Sequence, residues 1–224
     1  MATEDLTVLK WHYAEFCSTA VHRRPRPCRR GSRRGVCRLP LDDWCVAEDS
    51  HVERVATLQR IYLEHLALPF GRSYIDDSGN GVIAVLPPDA PEPDEATVEK
   101  IVELHGDRFE RVLQADEQLS ALPVPPDNAW SLATIGTTPR SRGTGLGSAL
   151  LKHALAELDR TEQNCWLDTS TERNLPLYQR FGFTIVGQTS LPPDGPDVWR
   201  MHRLQADCST STLAESFSTT TRIG

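Results

Sequence analysis

The stretch that most constrains the fold is residues 130–148, where an apolar run leads through a glycine-rich loop into an amphipathic pattern. Trp130 to Thr137 are β-favouring or small residues, which predicts a strand. Pro139 cannot donate to a sheet ladder, so the strand ends before it. From Leu146 onward, apolar residues recur on one helical stripe. The sequence therefore predicts a strand, a glycine loop and a helix in direct succession.

Such a loop suits a phosphate-bearing ligand, because a helix N-terminus presents unpaired backbone N–H groups and partial positive charge. The phosphate loop of nucleotide hydrolases is excluded, since serine and alanine follow Gly147 where that motif needs a lysine. The dinucleotide fingerprint G-x-G-x-x-G follows an early strand, whereas this chain has G-x-G-x-G more than halfway along. The remaining pattern is Arg140-x-x-Gly143-x-Gly145, although a tight turn alone would also explain the glycines.

A second group of chemistry-bearing residues lies in the segment RNLPLYQRFGF, residues 173–183. Asn174 and Tyr178 are four residues apart, so on a helix they share one face. Leu177 and Phe181 share another face, which we expect to pack on the sheet. A glycine then ends the helix and the next strand begins. The alternative is a surface turn with a half-buried tyrosine.

The length of 224 residues accommodates one domain with tails. No segment reaches the ~18 apolar residues of a membrane helix, and the first residues do not form a signal peptide, so we expect a cytoplasmic protein without a membrane partner. The net charge is −7, but residues 22–38 hold eight arginines and no acid, which leaves 16 basic against 31 acidic residues elsewhere. An acidic body suits a cationic amine substrate and makes nucleic acid an unlikely main partner, although acidity also serves solubility.

Residues 1–48 form an atypical segment rich in arginine and cysteine, which we expect to be poorly ordered. Its cysteines are widely spaced and include no C-x-x-C pair, so we expect no metal site. The arginines fit a disordered arm or a tether to nucleic acid or an acidic partner. A third hypothesis is that roughly residues 7–47 arose by a frame difference and replace an ordinary first strand and helix. We expect the folded domain over residues 49–205 and a disordered Ser/Thr-rich tail over 206–224.

Alternating patterns elsewhere predict an α/β fold with a sheet of mixed direction. Ser50 and Glu53 have capping-box spacing at the start of a helix that runs toward Pro69. Further predicted elements are a hairpin over 73–76 and 81–86, helices over 94–122 broken at Gly106, strands over 165–169, 183–186 and 198–204, and a short helix over 172–181.

The two motifs together resemble the GNAT superfamily of N-acyltransferases, and the element order matches that fold from its second strand onward. Residues 49–203 are further similar to the puromycin N-acetyltransferases, notably in the segments DSHVERVATLQ, WSLATIG, RGTGLGSAL and TSTERNLPLYQRFGFT. The resemblance implies a GNAT-like mixed, mostly antiparallel sheet flanked by helices, here with an N-terminus that has no clear counterpart of the first strand and helix. It also implies acetyl-CoA as acyl donor, no metal, and an aminonucleoside antibiotic as acceptor.

The resemblance assigns the CoA pyrophosphate to the glycine loop and the pantetheine arm to Asn174, with the Tyr178 hydroxyl near the sulfur. The implied acyl-CoA-binding residues are Ile135, Gly136, Thr137, Arg140, Arg142, Gly143, Thr144, Gly145, Leu146, Gly147, Ser148, Asn174 and Tyr178. Because a thiol with a pKa of about 8.5 leaves readily, a weak acid suffices to protonate it, and Tyr178 is the candidate general acid. Backbone N–H groups of the 130–137 strand are the expected oxyanion donors.

The general base and the acceptor are less constrained by the sequence. The strand before the loop carries no carboxylate, so the candidate base is Asp168, with a salt-bridge or capping role as the equal alternative. Trp130 and Tyr62 are expected to line an acceptor pocket. The functions that the sequence leaves open are a small-molecule N-acetyltransferase, a protein or peptide N-acetyltransferase, and a non-catalytic CoA-binding protein. The oligomeric state is not indicated.

Overall fold

Six strands form one sheet in the computed structural model, which describes residues 39–205 of the chain. The spatial order is β1-β2-β3-β4-β6-β5, and every neighbouring pair is antiparallel except β3 and β4. The mixed, mostly antiparallel sheet is therefore confirmed. The strands are β1 Arg72–Ile75, β2 Gly81–Leu86, β3 Trp130–Thr137, β4 Cys165–Thr169, β5 Thr184–Ser190 and β6 Asp197–Arg203.

Helices cover both faces of this sheet. One face packs against α6 and α7, and the other against α1, α2, α4 and α5, with a separate apolar core on each side. We call these the α6 face and the α5 face. The helices are α1 Pro40–Cys45, α2 His51–Tyr62, α3 Leu68–Phe70, α4 Glu95–His105, α5 Phe109–Ser120, α6 Leu146–Asp159 and α7 Leu175–Arg180, with a π-helical turn Leu63–Ala67 between α2 and α3.

Most helices and strands lie where the sequence predicted them, because the predictions rested on the spacing of apolar residues. The predicted stripe of α6 is buried throughout, at Leu150, Leu151, Ala154, Leu155 and Leu158. The helical region 94–122 is interrupted by a 3₁₀ turn that starts at Gly106, whose positive φ of 61° favours glycine. The capping box at Ser50 does not form. That residue has a left-handed φ of 50° and its side chain makes no cap hydrogen bond.

The described domain begins ten residues before the expected boundary at Asp49. Leu39, Val46 and Ala47 are buried, and Trp44 donates its indole N–H to the carbonyl oxygen of Pro193 at 3.1 Å. Residues 39–48 therefore belong to the α5-face core and were wrongly grouped with the arginine-rich segment. The expectations for residues 1–38 and for the tail from 206 fall outside the part of the chain that the structure describes.

His105 joins the end of α4 to the end of α1. Its side chain is fully buried, and Nδ1 lies 2.6 Å from the carbonyl oxygen of Cys45. Burial lowers the pKa of this imidazole from 6.5 to about 4, because the charged form loses hydration. The neutral form is thus the one the fold accommodates.

Acidification should therefore destabilise the protein through His105. Protonation of the unfolded chain begins near pH 6.5, so the contribution is complete above that pH and declines as pH falls toward 4. The loss is roughly 1.4 kcal/mol per pH unit across this window. Urea unfolding of the wild type and of His105→Asn at several pH values checks this, since the gap between the two should narrow on acidification. A gap independent of pH would refute it.

Candidate active site

A wedge opens in the middle of the sheet between β3 and β4. Among the described residues, only the pairs Trp130↔Cys165 and Ser131↔Trp166 join these parallel strands, although both strands continue for several residues. Beyond Ser131, β3 no longer pairs with β4. Ligands of α/β sheets bind at the carboxyl ends of parallel strands where neighbours diverge, so this wedge is the natural candidate site.

A β-bulge reshapes β3 inside the wedge. Leu132 and Thr134 pair with the consecutive residues Val85 and Ala84, which leaves Ala133 as the extra residue. A bulge bends its strand and redirects backbone groups, and bulges are frequent beside active sites. The predicted strand residues Ile135, Gly136 and Thr137 follow the bulge and lead directly into the glycine loop.

The glycine loop joins the end of β3 to the start of α6, as predicted. Gly143 and Gly145 have φ values of 74° and 89°, and a Cβ atom at either position would meet nothing within 4 Å. The first helical bond of the α6 N-terminus runs from the Ala149 N–H to the Gly145 carbonyl oxygen at 2.9 Å. The N–H groups of residues 146–148 precede that bond, so helix geometry gives them no acceptor within α6. The loop is open and rich in donors, as an anion site requires.

The charged and polar residues predicted for this loop lie around the same helix start. Arg140 and Arg142 are exposed, in a 3₁₀ turn and just after it. Thr144 donates its hydroxyl to the Ser141 carbonyl oxygen at 2.8 Å, which fixes the turn before Gly145. Two arginines beside a helix N-terminus favour an anionic ligand such as a pyrophosphate.

The β1–β2 turn supports the glycine loop from the side. Asn80 accepts the Thr138 N–H at 2.7 Å through its backbone oxygen and the Thr138 hydroxyl at 3.3 Å through its side chain. The turn itself is organised by Asp76, which accepts the Asn80 N–H at 2.7 Å. Hydrogen bonds, first from the Ser78 hydroxyl and then from backbone N–H groups, lower the pKa of Asp76. Asp76 thus supports the glycine loop indirectly, by holding Asn80 in place.

Replacing Asp76 with alanine should weaken acetyl-CoA binding without blocking it. The turn loses several hydrogen bonds worth about 0.5–1.5 kcal/mol each, and we expect a roughly threefold to tenfold rise in Kd. Calorimetric titration measures this. The matched control is Asp77→Ala, which removes a neighbouring exposed carboxylate for which the structure shows no such bonds within the turn. Equal Kd values for the two variants would exclude the support role.

Tyr178 and Asn174 lie on the short helix after β4. Asn174 is half-buried at the N-terminus of α7, and Tyr178 is 1% exposed with its ring edge-on to Phe183 at a centroid distance of 5.9 Å. Leu177 and Phe181 are partly buried and pack against the α6-face core, as predicted. Tyr178 itself packs in the α6-face core with Leu175. The tyrosine is therefore held rigidly by the core.

Asp168 forms a buried ion pair with Arg200, across the antiparallel strands β4 and β6. Both carboxylate oxygens accept from the guanidinium, at 2.8 and 2.7 Å, and both residues are 4% exposed. Of the two roles left open by the sequence, the geometry favours the salt-bridge role. A carboxylate whose two oxygens are occupied by a guanidinium is poorly placed to accept a proton from an amine.

The two aromatic residues expected in an acceptor pocket lie in different places. Trp130 is on the α6 face, where the Arg72 guanidinium stacks over its ring at 4.5 Å. Tyr62 packs against the α5-face core, and burial, followed by the nearby Cys45, raises the pKa of its phenol far above the usual value. Because strands alternate faces, the aromatic side chain of β4 on the α5 face is instead Trp166. No sequence pattern predicted a role for Arg200, because its ion pair with Asp168 depends on the pairing of β4 with β6.

Comparison with known proteins agrees with this geometry. Residues 112–185 match the family model described as the acetyltransferase (GNAT) domain. The solved structures that resemble the chain include a Corynebacterium glutamicum protein described as histone acetyltransferase HPA2 and related acetyltransferase. It is 25% identical over 73% of this chain and 81% of its own, with a TM-score of 0.53. The ribosomal-protein-S18-alanine N-acetyltransferase of Escherichia coli is 15% identical over 74% and 95%, with a TM-score of 0.41.

Two features are absent from residues 39–205. No group of three or more His, Cys, Asp or Glu side chains there is arranged to hold a metal ion. No helix in that range is both long and apolar enough to span a membrane.

Proposed function

Because the chain carries a GNAT acetyltransferase domain, we propose that it transfers the acetyl group of acetyl-CoA to the primary amine of a small molecule, specifically an aminonucleoside like puromycin. The observation that carries this proposal is the parting of β3 and β4 beside the open glycine loop. The gap between the two strands suits the narrow pantetheine arm of an acyl-CoA, and the anion site of the loop beside it suits the pyrophosphate.

The reaction is a direct transfer. The free amine attacks the thioester carbon, a C–N bond forms as the C–S bond breaks, and the amine loses one proton while the thiolate gains one. Tyr178 donates the proton to the sulfur in this proposal, and backbone N–H groups near the Ala133 bulge stabilise the oxyanion. The amine proton passes to water, because Asp168 is engaged by Arg200.

The proposed CoA contacts follow the predicted residues. The N–H groups of residues 143 and 145–148, with Arg140 and Arg142 beside them, hold the pyrophosphate. Residues 135–137 border the pantetheine arm on one side and Asn174 borders it on the other. The acidic surface of the domain supports a cationic amine as acceptor, and the resemblance to puromycin N-acetyltransferases supports the aminonucleoside.

Release of CoA in the presence of a panel of amines tests the proposal. The full-length protein is assayed with puromycin, simple aromatic and aliphatic amines, and a peptide with a free N-terminus, and the acetylated product is identified by mass. We expect turnover of the small amines, with puromycin the best. Turnover of the peptide alone would favour the protein or peptide N-acetyltransferase. Binding of acetyl-CoA without turnover of any amine would favour a non-catalytic CoA-binding protein.

A further inference from the structure

Three residues in register form an apolar strip across one end of the sheet. Ile75 of β1 pairs with Val82 of β2, and Val82 pairs with Gly136 of β3. Residues directly opposite one another in a sheet point to the same face. The next residue of β2, Ile83, packs in the α6-face core, so alternation along the strand places the strip on the α5 face. We call Ile75, Val82 and Gly136 the apolar shelf.

The apolar shelf begins where the α5 face of the sheet becomes open. In the neighbouring row on this face, Ala84 and Thr134 pair with each other and are both buried, and the π-helical turn packs against β2. Ile75, by contrast, is 62% exposed, and Val82 is partly exposed. The shelf therefore offers a ligand apolar surface that the fold itself leaves in contact with water.

The apolar shelf leads to the wedge between β3 and β4. Gly136 belongs to the part of β3 that no longer pairs with β4, so the shelf runs from the β1 edge of the sheet to the wedge. Because Gly136 has no side chain, β3 places none between Val82 and the wedge in this row. A group bound on the shelf therefore lies beside whatever the wedge holds.

The donor loop and the apolar shelf lie on opposite faces. A Cβ atom at Gly147 of the loop would be 3.9 Å from Thr137 Cγ2. Thr137 follows Gly136 along β3, so its side chain points to the α6 face. Two ligands that approach the wedge from opposite faces do not compete for space, and their reacting groups meet at the strand edge between them.

The strand register gives the distance from the shelf to the reacting centre. The proposed oxyanion donors lie at the Ala133 bulge, next to Thr134. Val82 is one strand across from Thr134 and two residues along, which corresponds to roughly 4.8 Å and 6.8 Å, or about 8 Å in all. An acceptor whose nitrogen attacks at the bulge therefore reaches the shelf with a group about 8 Å from that nitrogen.

We propose that the apolar shelf binds an apolar group of the acceptor, so that the preferred acceptors are primary amines carrying such a group about 8 Å from the nitrogen. The proposal rests on the acetyl transfer proposed above and narrows its acceptor. Ile75 and Val82 are binding residues and take no part in the bond changes.

An amine series tests the proposal on the full-length protein. The substrates are butylamine, benzylamine, 4-phenylbutylamine and puromycin. In the wild type we expect kcat/KM for 4-phenylbutylamine to exceed the values for butylamine and benzylamine about tenfold, as burial of roughly 50 Å² of apolar surface would give. The ring of benzylamine is too close to its nitrogen to reach the shelf.

A serine substitution in the apolar shelf links this preference to the site. Ile75→Ser should remove most of the advantage of 4-phenylbutylamine and raise the KM for puromycin, with butylamine unaffected. The matched control is Ile185→Ser, at a 43% exposed isoleucine of the other edge strand, β5, whose partner Met201 places it on the α6 face. This variant should keep the wild-type preference. The KM for acetyl-CoA should stay near the wild-type value in both variants.

Each failure has its own pattern. The shelf assignment falls, and the transferase stands, if the wild type prefers butylamine or benzylamine, or if the two serine variants have equal KM values for 4-phenylbutylamine and puromycin. It also falls if Ile75→Ser impairs acetyl-CoA as strongly as the acceptor. Absence of turnover with every amine would overturn the proposed function, and the acceptor role of the shelf with it.

Discussion

Replacing Asp168 with alanine should lower the free energy of unfolding by about 3–5 kcal/mol, because it leaves the buried Arg200 guanidinium without its counter-charge. Arg200 also donates to the Pro123 carbonyl oxygen at 3.3 Å, so its displacement would loosen the loop before β3. Urea denaturation measures the change. This is the largest effect on stability that we expect from a single substitution.

The matched control is Asp159→Ala, which breaks a bidentate carboxylate–guanidinium ion pair on the surface. Asp159 accepts from Arg203 at 2.7 and 2.9 Å but is 41% exposed, and exposed pairs contribute about 0–1 kcal/mol. Similar losses for the two variants would show that burial of the Asp168 pair is unimportant. The shape of the pH profile of kcat in Asp168→Asn separates the two roles, since a general base would lose its acidic limb and a structural partner would not.

Removing the Tyr178 hydroxyl should lower kcat by about 10²-fold, which is the lower end of the range for general acid–base catalysis. We expect no larger decrease in kcat, because the thiolate is itself a fair leaving group. The phenylalanine ring keeps the packing against Phe183, so the fold and the affinity for acetyl-CoA should be nearly unchanged. Stopped and continuous assays of CoA release, with titration of acetyl-CoA, measure both quantities.

Tyr74→Phe is the control for Tyr178→Phe. It deletes the same atom from another tyrosine that packs against the α6-face core, where its ring lies edge-on to His153. We expect kcat in this variant to remain close to the wild-type value. If Tyr178→Phe also retained full activity, the tyrosine would be a core residue alone, and another group or water would have to protonate the sulfur.

The sequence predicted those parts of the fold that depend on local patterns. Strand β3 and helix α6 were found at the predicted positions, because alternation, Pro139 and the apolar stripe each limit a short segment independently. The capping box at Ser50 failed because the chain leaves the preceding loop in a left-handed conformation, which no sequence pattern at that site indicated. Residues 39–48 were misassigned because Trp44 and His105 find their partners far along the chain.

Sequence patterns likewise predicted only those parts of the site that depend on local structure. The glycine loop could be predicted, because a helix N-terminus creates an anion site from local backbone geometry alone. The wedge depends on where β3 and β4 stop pairing, and the Asp168–Arg200 pair depends on the register of β4 and β6. The apolar shelf, too, depends on the register of three strands. Periodicity carries no information about such long-range pairing, so the sequence left the role of Asp168 open between a general base and a salt-bridge partner.

The central claim is that the loop between β3 and α6 holds acetyl-CoA, and calorimetric titration of acetyl-CoA into two glycine variants tests it most directly. Gly145→Ala and Gly182→Ala introduce a Cβ atom at nearly the same strained φ, 89° and 86°, but only Gly145 belongs to the loop. We expect the Kd to rise about tenfold or more for Gly145→Ala, since each loop N–H moved from its acceptor costs affinity, and to stay near the wild-type value for Gly182→Ala. Unchanged affinity in Gly145→Ala, or equal losses in both variants, would contradict the assignment of this loop as the acetyl-CoA site.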